Sequence, residues 1–596
     1  MAQFLYLPEG ADLKTNYDKF PRVPVTGNDE DCAAGWAEAV ANLSRGMATG
    51  PRCVLAIECY PGVDLEEVRR ELVNPLKPGR CILSGEAFKS PADLESQFAE
   101  CLGQDVVFAK MQPWTIADFL SPERVRSVRS ELRSCRDGLS IILGTGATVI
   151  AEQWDLLVYA DLARWEIQRR QREHEIGNLG AENSSAPASQ LYKRAYFIDW
   201  RAADRARHEV FEQIDYLLDT NVRGAPRMIS GELYRAGLHS ACHRPFRVVP
   251  FFDPGPWGGE WMRTHFDLPP EPPNFAWCFD CVPEENSLRL GFGSRSVELP
   301  ASTLVHQHPR ELLGEDIHGR FGAEFPIRFD FLDTIGGGNL SLQVHPLLEY
   351  IREHFGMPYT QDESYYLLDA EADAVVYLGF KEGVDRNQFE SDLWKAQDGG
   401  APFPAERYVN VWPVEKHSHL SIPAGTIHCS GRNSMVLEIS ATPYIFTFKL
   451  WDWNRLGLDG KPRPIHLDHG LANLQWRRTT DWVRANLVNP VTAIASGPGW
   501  REEATGLHAL EFIETRRHWF TAPVDHDTQG TVNVLNLVEG EEAIVESPTG
   551  AFDAFPVHYA ETFIVPAAVG AYRIRPARPS ASPLATVKAF VRKAQA

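Results

Sequence analysis

Near Gly231 the chain changes its period, and that change restricts the fold more than any other feature of the sequence. Between Cys53 and Trp200, apolar runs of strand length alternate with charged segments of helical period. CVLAIE precedes VDLEEVRRELV, VVFAK precedes a stretch ending SVRSELRSCR, LSIIL follows, and LLVYADL precedes ARWEIQRRQREHEI. Short runs rich in Val, Ile and Leu, separated by amphipathic helices, predict an α/β layer around a mostly parallel sheet. After the polar loop at residues 181–190, RAYFIDW reads as one more strand. Past Gly231, Pro and Gly recur between short strands, as in VVPFFDPGPWGGEW, ADAVVYLGF and SMVLEI, which is the pattern of β-sandwiches and barrels. Residues 309–315, 347–355 and 386–397 are helical exceptions. Beyond Pro490 a second β-rich block has the same texture, which suggests a duplicated barrel.

At 596 residues the chain exceeds what one hydrophobic core holds. The expected division is an α/β domain over residues 1–225, a β domain with helical insertions over 226–485, and a further β domain over 486–596. A net charge of −21 sets a field that repels nucleic acid and anionic membrane, so neither is an expected partner. The first residues, MAQFLYLPEGADLK, lack the basic and apolar regions of a targeting signal, and no long apolar window occurs. The ten cysteines are scattered, several of them (Cys53, Cys59, Cys81) inside apolar runs, as buried thiols in a reducing compartment are. A cytoplasmic location is the expectation.

The densest chemistry lies in NLSLQVHPLLEY, where Gln343 and His345 are two apart on a predicted strand and share a face. Glu363 opens the next strand, and His428 follows a Pro-x-Gly turn that aims it toward a barrel mouth. Two imidazoles, a carboxylate and an amide suit zinc, although ligand type alone does not separate zinc from manganese or iron. His417, His419, His306 and His308 read as surface or rim residues, and Cys278 and Cys281 form a lone C-x-x-C that reads as core.

QVHP, the strand from Glu363, PAGTIH followed by VLEI, and FKLWDWNR occur in this order and resemble class I mannose-6-phosphate isomerase, a zinc-dependent cupin family. The likeness runs from about Pro250 to the C-terminus and includes Pro256–Gly259 and Trp451–Trp453. It implies all-β cupin (jelly-roll) domains and the metal ligands Gln343, His345, Glu363 and His428. It also implies interconversion of mannose 6-phosphate and fructose 6-phosphate through a cis-enediol. Glu438 is then the candidate general base, or a group that orients a ligand histidine, and Lys449 stabilises the enediolate or holds phosphate. The chain departs from the family at Thr360, Gln361 and Asp362, where Gly-Lys-Thr is usual, and at Lys449, where Arg is usual, while Arg328 stands near another family Lys. These changes motivate an alternative: a metal-containing cupin that binds sugar or regulates without isomerase turnover.

The N-terminal α/β half resembles a nucleoside-kinase-like P-loop domain in its late strand and Arg-rich segment, Arg164 to Arg172. Where a phosphate loop belongs, however, the sequence is ECYPGVDLEE, with Asp64, Glu66 and Glu67 in place of Lys and Ser/Thr. The reading is a degenerate domain without a Walker A motif, with Arg164 to Arg172 as a solvated helix face. A homo-oligomer, if one forms, assembles through it.

Overall fold

The computed structural model describes residues 15–47, 52–134, 137–442, 445–508 and 511–593. The opening segment considered above, residues 1–14, lies outside the described residues. The protein is multidomain, with many sheets and helices, and divides into two compact units.

One unit comprises residues 22–241 and 283–308. Its seven-stranded sheet has five strands in parallel, ordered Arg80–Leu83, Gly138–Gly144, Arg52–Cys59, Leu156–Asp161 and Tyr216–Asp219. Arg227–Ser230, which lies past residue 225, extends this sheet antiparallel, so the α/β layer continues beyond that position. Arg52–Cys59 is buried from its second residue to its last, as a central parallel strand covered on both faces must be. VVFAK forms no strand; Arg80–Leu83 fills the sheet edge instead. RAYFIDW is helical, running from Ala188–Arg194 through Ala195–Asp199 into Trp200–Val210. All five residues of Ala195–Asp199 are buried, so the segment shows no polar face and its helical period is invisible in sequence.

Within the Arg-rich segment Arg164 and Arg170 are buried, Arg169 is half-buried and only Arg172 is exposed, so most of it is not a solvated face; Arg207, on the helix Trp200–Val210, is buried beside it. Arg164, Arg170 and Arg207 are buried: Arg164 pairs with Asp204 at 2.9 Å, Arg170 with Glu166 at 2.6 Å and Arg207 with Asp161 at 3.0 Å. At the end of Arg52–Cys59, Glu58 accepts the backbone N–H groups of Gly146 and Thr148 at 2.6 and 2.8 Å, plus the Thr148 hydroxyl at 2.8 Å. Asp64 caps the helix Leu65–Val68. The backbone donors on which a kinase reading would depend are thus taken by the chain's own carboxylates, and the kinase kinship is unsupported.

The second unit comprises residues 1–21, 242–282 and 309–596. A six-stranded sheet runs in the order His419–Ile422, Glu363–Ala370, Ser434–Ala441, Ile327–Asp333, Trp277–Cys281, Phe251–Asp253. A five-stranded sheet runs Val409–Pro413, Val375–Phe380, His428–Ser430, Leu342–Val344, Phe448–Trp451. The helices Leu348–Phe355 and Arg386–Gln397 fall where the helical period predicts them. A second pair of sheets, of six and four strands, follows from Thr492 and encloses its own core of Phe520, Leu535, Leu537, Val545, Phe563 and Ile574. Cys278 and Cys281 are buried, as a core reading requires. Among the described residues no helix is long and apolar enough to cross a membrane.

Candidate metal centre

The first pair of sheets brings the four predicted ligands together from both sides. Gln343 lies directly across the ladder from His428 in the five-stranded sheet, while Glu363 begins a strand of the six-stranded one. His345 follows the end of Leu342–Val344. The Pro423 to Thr426 turn that precedes His428 needs glycine at its third position: Gly425 has φ +85°, and a Cβ there would lie 2.9 Å from the Asn473 carbonyl. Its N–H donates to the His345 carbonyl at 2.9 Å, which ties the turn to the neighbouring ligand.

Glu363 is fully buried, with Oε2 3.0 Å from His345 Nε2 and Oε1 2.9 Å from His428 Nε2. The Gln343 amide is 3.2 Å from the same His428 nitrogen, and exchanging its N and O by a flip puts an acceptor at that point. Each imidazole has its other nitrogen on a backbone carbonyl: His345 Nδ1 on Phe446 at 3.3 Å and His428 Nδ1 on Thr426 at 2.9 Å. Those carbonyls accept only from Nδ1–H, which fixes the tautomer and turns both Nε2 lone pairs toward the carboxylate. His345 Nε2 and Glu363 Oε1 are buried without a hydrogen bond. Converging lone pairs without a shared proton call for a cation, and two imidazole nitrogens, a carboxylate and an amide oxygen fit a divalent metal.

Beside these four lies a cavity of about 310 Å³ whose lining includes Glu438, Lys449, Arg328, Asp330, Gln361 and Arg463. Glu438 stands in register between Asp330 and Tyr365 on the six-stranded sheet. Its partners are Arg328, the Ser440 hydroxyl at 2.9 Å and the Gln361 amide at 3.3 Å, not the ligand histidines. Burial, then the like charges of Asp330 and Glu363, push Glu438 well above the ordinary carboxylate range, and burial lifts Asp330 to about 7. Lys449, cross-strand from Gln343, is brought down to about 7 by burial and then by Arg463.

The sequence reading missed Asp330 and Arg463. Asp330 is two residues from Arg328 on one strand, so its shared face was readable; Arg463 comes from an irregular segment with no signal in its spacing. His417 and His419 lie outside this lining, and His419 is fully buried rather than at a rim, bonded to Ser364 at 2.8 Å and lowered by burial to about 3. His306 sits on the helix Ser302–Gln307 and is lowered by burial to about 4.

Over part of its length the chain is homologous to mannose-6-phosphate isomerases. The enzyme of Bacillus subtilis is 25% identical over 237 residues, which is 39% of this chain and 68% of the relative. That of Streptococcus mutans is 26% identical over 217 residues, 36% of this chain and 63% of the relative. The chain therefore spans about two-thirds of the length of the curated relatives it matches. The crystal structure of mannose 6-phosphate isomerase from Bacillus subtilis aligns with 58% of this chain and 99% of its own at a TM-score of 0.48 and 17% identity. Residues 35–243 match a family described as a domain of unknown function, DUF8485.

Proposed function

We propose that the protein is a metal-dependent aldose–ketose isomerase that interconverts mannose 6-phosphate and fructose 6-phosphate through a cis-enediol. The observation that carries this reading is the pair of histidine lone pairs directed at a buried carboxylate beside a cavity holding both an acid/base candidate and cations. Gln343, His345, Glu363 and His428 would hold one zinc ion. When bound, such an ion supplies positive charge against the oxygen that becomes negative as a carbon proton leaves.

The remaining work falls to this chain's own side chains. Glu438 carries the proton between C2 and C1, for which a carboxyl raised above the ordinary range is better matched than an unperturbed one. Arg328 fixes the orientation of Glu438. Lys449 and Arg463 face the anionic part of the substrate, and Arg463 restores the cation that neutral Gln361 omits. The cupin character of the two sandwiches, their separation as two domains, and a cytoplasmic setting belong to the same proposal. The test supplies mannose 6-phosphate and zinc to the full-length protein and assays fructose 6-phosphate. Sugar binding without turnover, for this pair and for other aldoses and ketoses, would move the protein to the alternative sugar-binding or regulatory role.

A further inference from the structure

The second sandwich carries polar residues where its core pattern calls for apolar ones. On Leu584–Val591, Leu584 belongs to the core, and the two-residue period puts Lys588 on the same face. Across one ladder Lys588 is paired with Leu535, another core residue; across the other it is paired with Arg516, which shares a face with core residue Phe520. Toward this end the interior opens into a cavity of about 740 Å³, whose lining includes the cations Lys588, Arg516, Arg592 and Lys593, the carboxylates Glu502, Glu514 and Asp527, and the polar Thr531 and Asn533.

Lys588 is only 9% exposed. Its ammonium has no hydrogen bond or salt bridge among the described residues and lies 5.6 Å from the Phe590 ring centroid. The nearby carboxylates are already engaged. Glu514 pairs with Arg516 and with Arg592, the latter at 2.9 Å, Glu502 faces His518 at 3.3 Å, and Asp527 accepts the Gln529 N–H at 2.6 Å. A charge set this deep is costly without a hydrogen bond or a close ion pair. Burial brings the Lys588 ammonium down to about 8, against the opposing pull of the Glu502, Glu514 and Asp527 carboxylates, so it remains largely a cation at neutral pH without a direct ion pair.

We propose that the cavity of the second sandwich is a separate binding site for a phosphate-bearing small molecule, with Lys588 as its anchor and Thr531 and Asn533 as donors and acceptors for hydroxyl or phosphate oxygens. The shared chemistry is the phosphate group, carried by a sugar or free. The site is distinct from the metal-centre cavity, with which it shares no lining residue.

The experiment uses the full chain with Lys449→Ala and Arg463→Ala, so that the first cavity loses the two cations assigned to the substrate anion while Arg328 stays paired with Glu438 and Asp330, and titrates it calorimetrically with inorganic phosphate and with fructose 6-phosphate. One equivalent is expected to bind. Adding Lys588→Met should weaken binding at least about tenfold, the loss of one charge-assisted contact, while Lys588→Arg retains it. Equal affinity for the two probes assigns free phosphate; tighter fructose 6-phosphate assigns the sugar phosphate. Should Lys588→Met fail to fold, acylation of Lys588 in the otherwise unmodified protein, followed by mass spectrometry, reads the same contact, since an occupied site shields the amine. No binding in the Lys449→Ala, Arg463→Ala chain, binding unchanged by Lys588→Met, or acylation insensitive to both probes would overturn the proposal.

Discussion

Glu363→Gln should have opposite effects on the metal-free and metal-loaded protein. The substitution keeps the shape of a fully buried side chain and replaces an acceptor with an amide that can donate. In the metal-free protein the carboxylate faces two imidazole nitrogens, at 2.9 and 3.0 Å, whose protons are committed elsewhere. An amide N–H satisfies one of those lone pairs, a gain of about 1 kcal/mol, and the buried negative charge disappears. The apo protein should therefore melt later, by roughly 1–2 °C for a unit of this size. Metal binding loses the anion that balances its charge. Removing one partner from a buried ionic contact costs about 3–5 kcal/mol, or two to three and a half orders of magnitude in affinity. Thermal melts of stripped protein with and without zinc, together with zinc competition against a chromophoric chelator, read both effects. An unchanged apo melting temperature with zinc affinity equal to that of the unsubstituted protein would refute the reasoning.

Arg328→Met removes the guanidinium set between Glu438 and Asp330, the latter 3.3 Å away, and should destabilise the first sandwich by about 3–5 kcal/mol, checked by urea denaturation; a loss below 1 kcal/mol would remove the pair from the account. Lys449 deprotonates near pH 7, so its grip on an anion weakens as pH rises through that value: KM for a sugar phosphate should climb between pH 6 and 8. Lys449→Arg, which meets the same substrate ionisation, should lose that climb, and identical profiles in the two proteins would contradict the assignment. Glu58→Leu strands the Gly146 and Thr148 N–H groups in the α/β unit and should cost about 2–6 kcal/mol, measured by denaturant melts, without altering zinc content.

The four proposed ligands were legible because each sits on a feature that sequence period or turn chemistry exposes. Gln343 and His345 are two apart, Glu363 opens a strand, and His428 follows a turn whose glycine has a positive φ. Helices Leu348–Phe355 and Arg386–Gln397 were equally readable from their amphipathic pattern. RAYFIDW was not, because a helix buried on every side has lost the polar face that marks its period. Arg164 and Arg170 misled for the opposite reason: a charged run normally faces water, and only the distant Asp204, together with Glu166, makes burial tolerable. Arg463 reaches the cavity from irregular backbone, where no period links position to direction. The departures at Gln361 and Lys449 were visible in sequence, whereas Arg463, to which the proposed function gives the compensating charge, was not.

The central claim is that Gln343, His345, Glu363 and His428 hold one metal ion on which turnover depends. Adding zinc in small steps to stripped full-length protein, while following the conversion of mannose 6-phosphate to fructose 6-phosphate, measures this directly. The account predicts a rate that rises linearly to one equivalent per chain and then stays level, with His428→Ala inactive throughout. Full turnover in the stripped protein, or a rate indifferent to zinc across the titration, would contradict it.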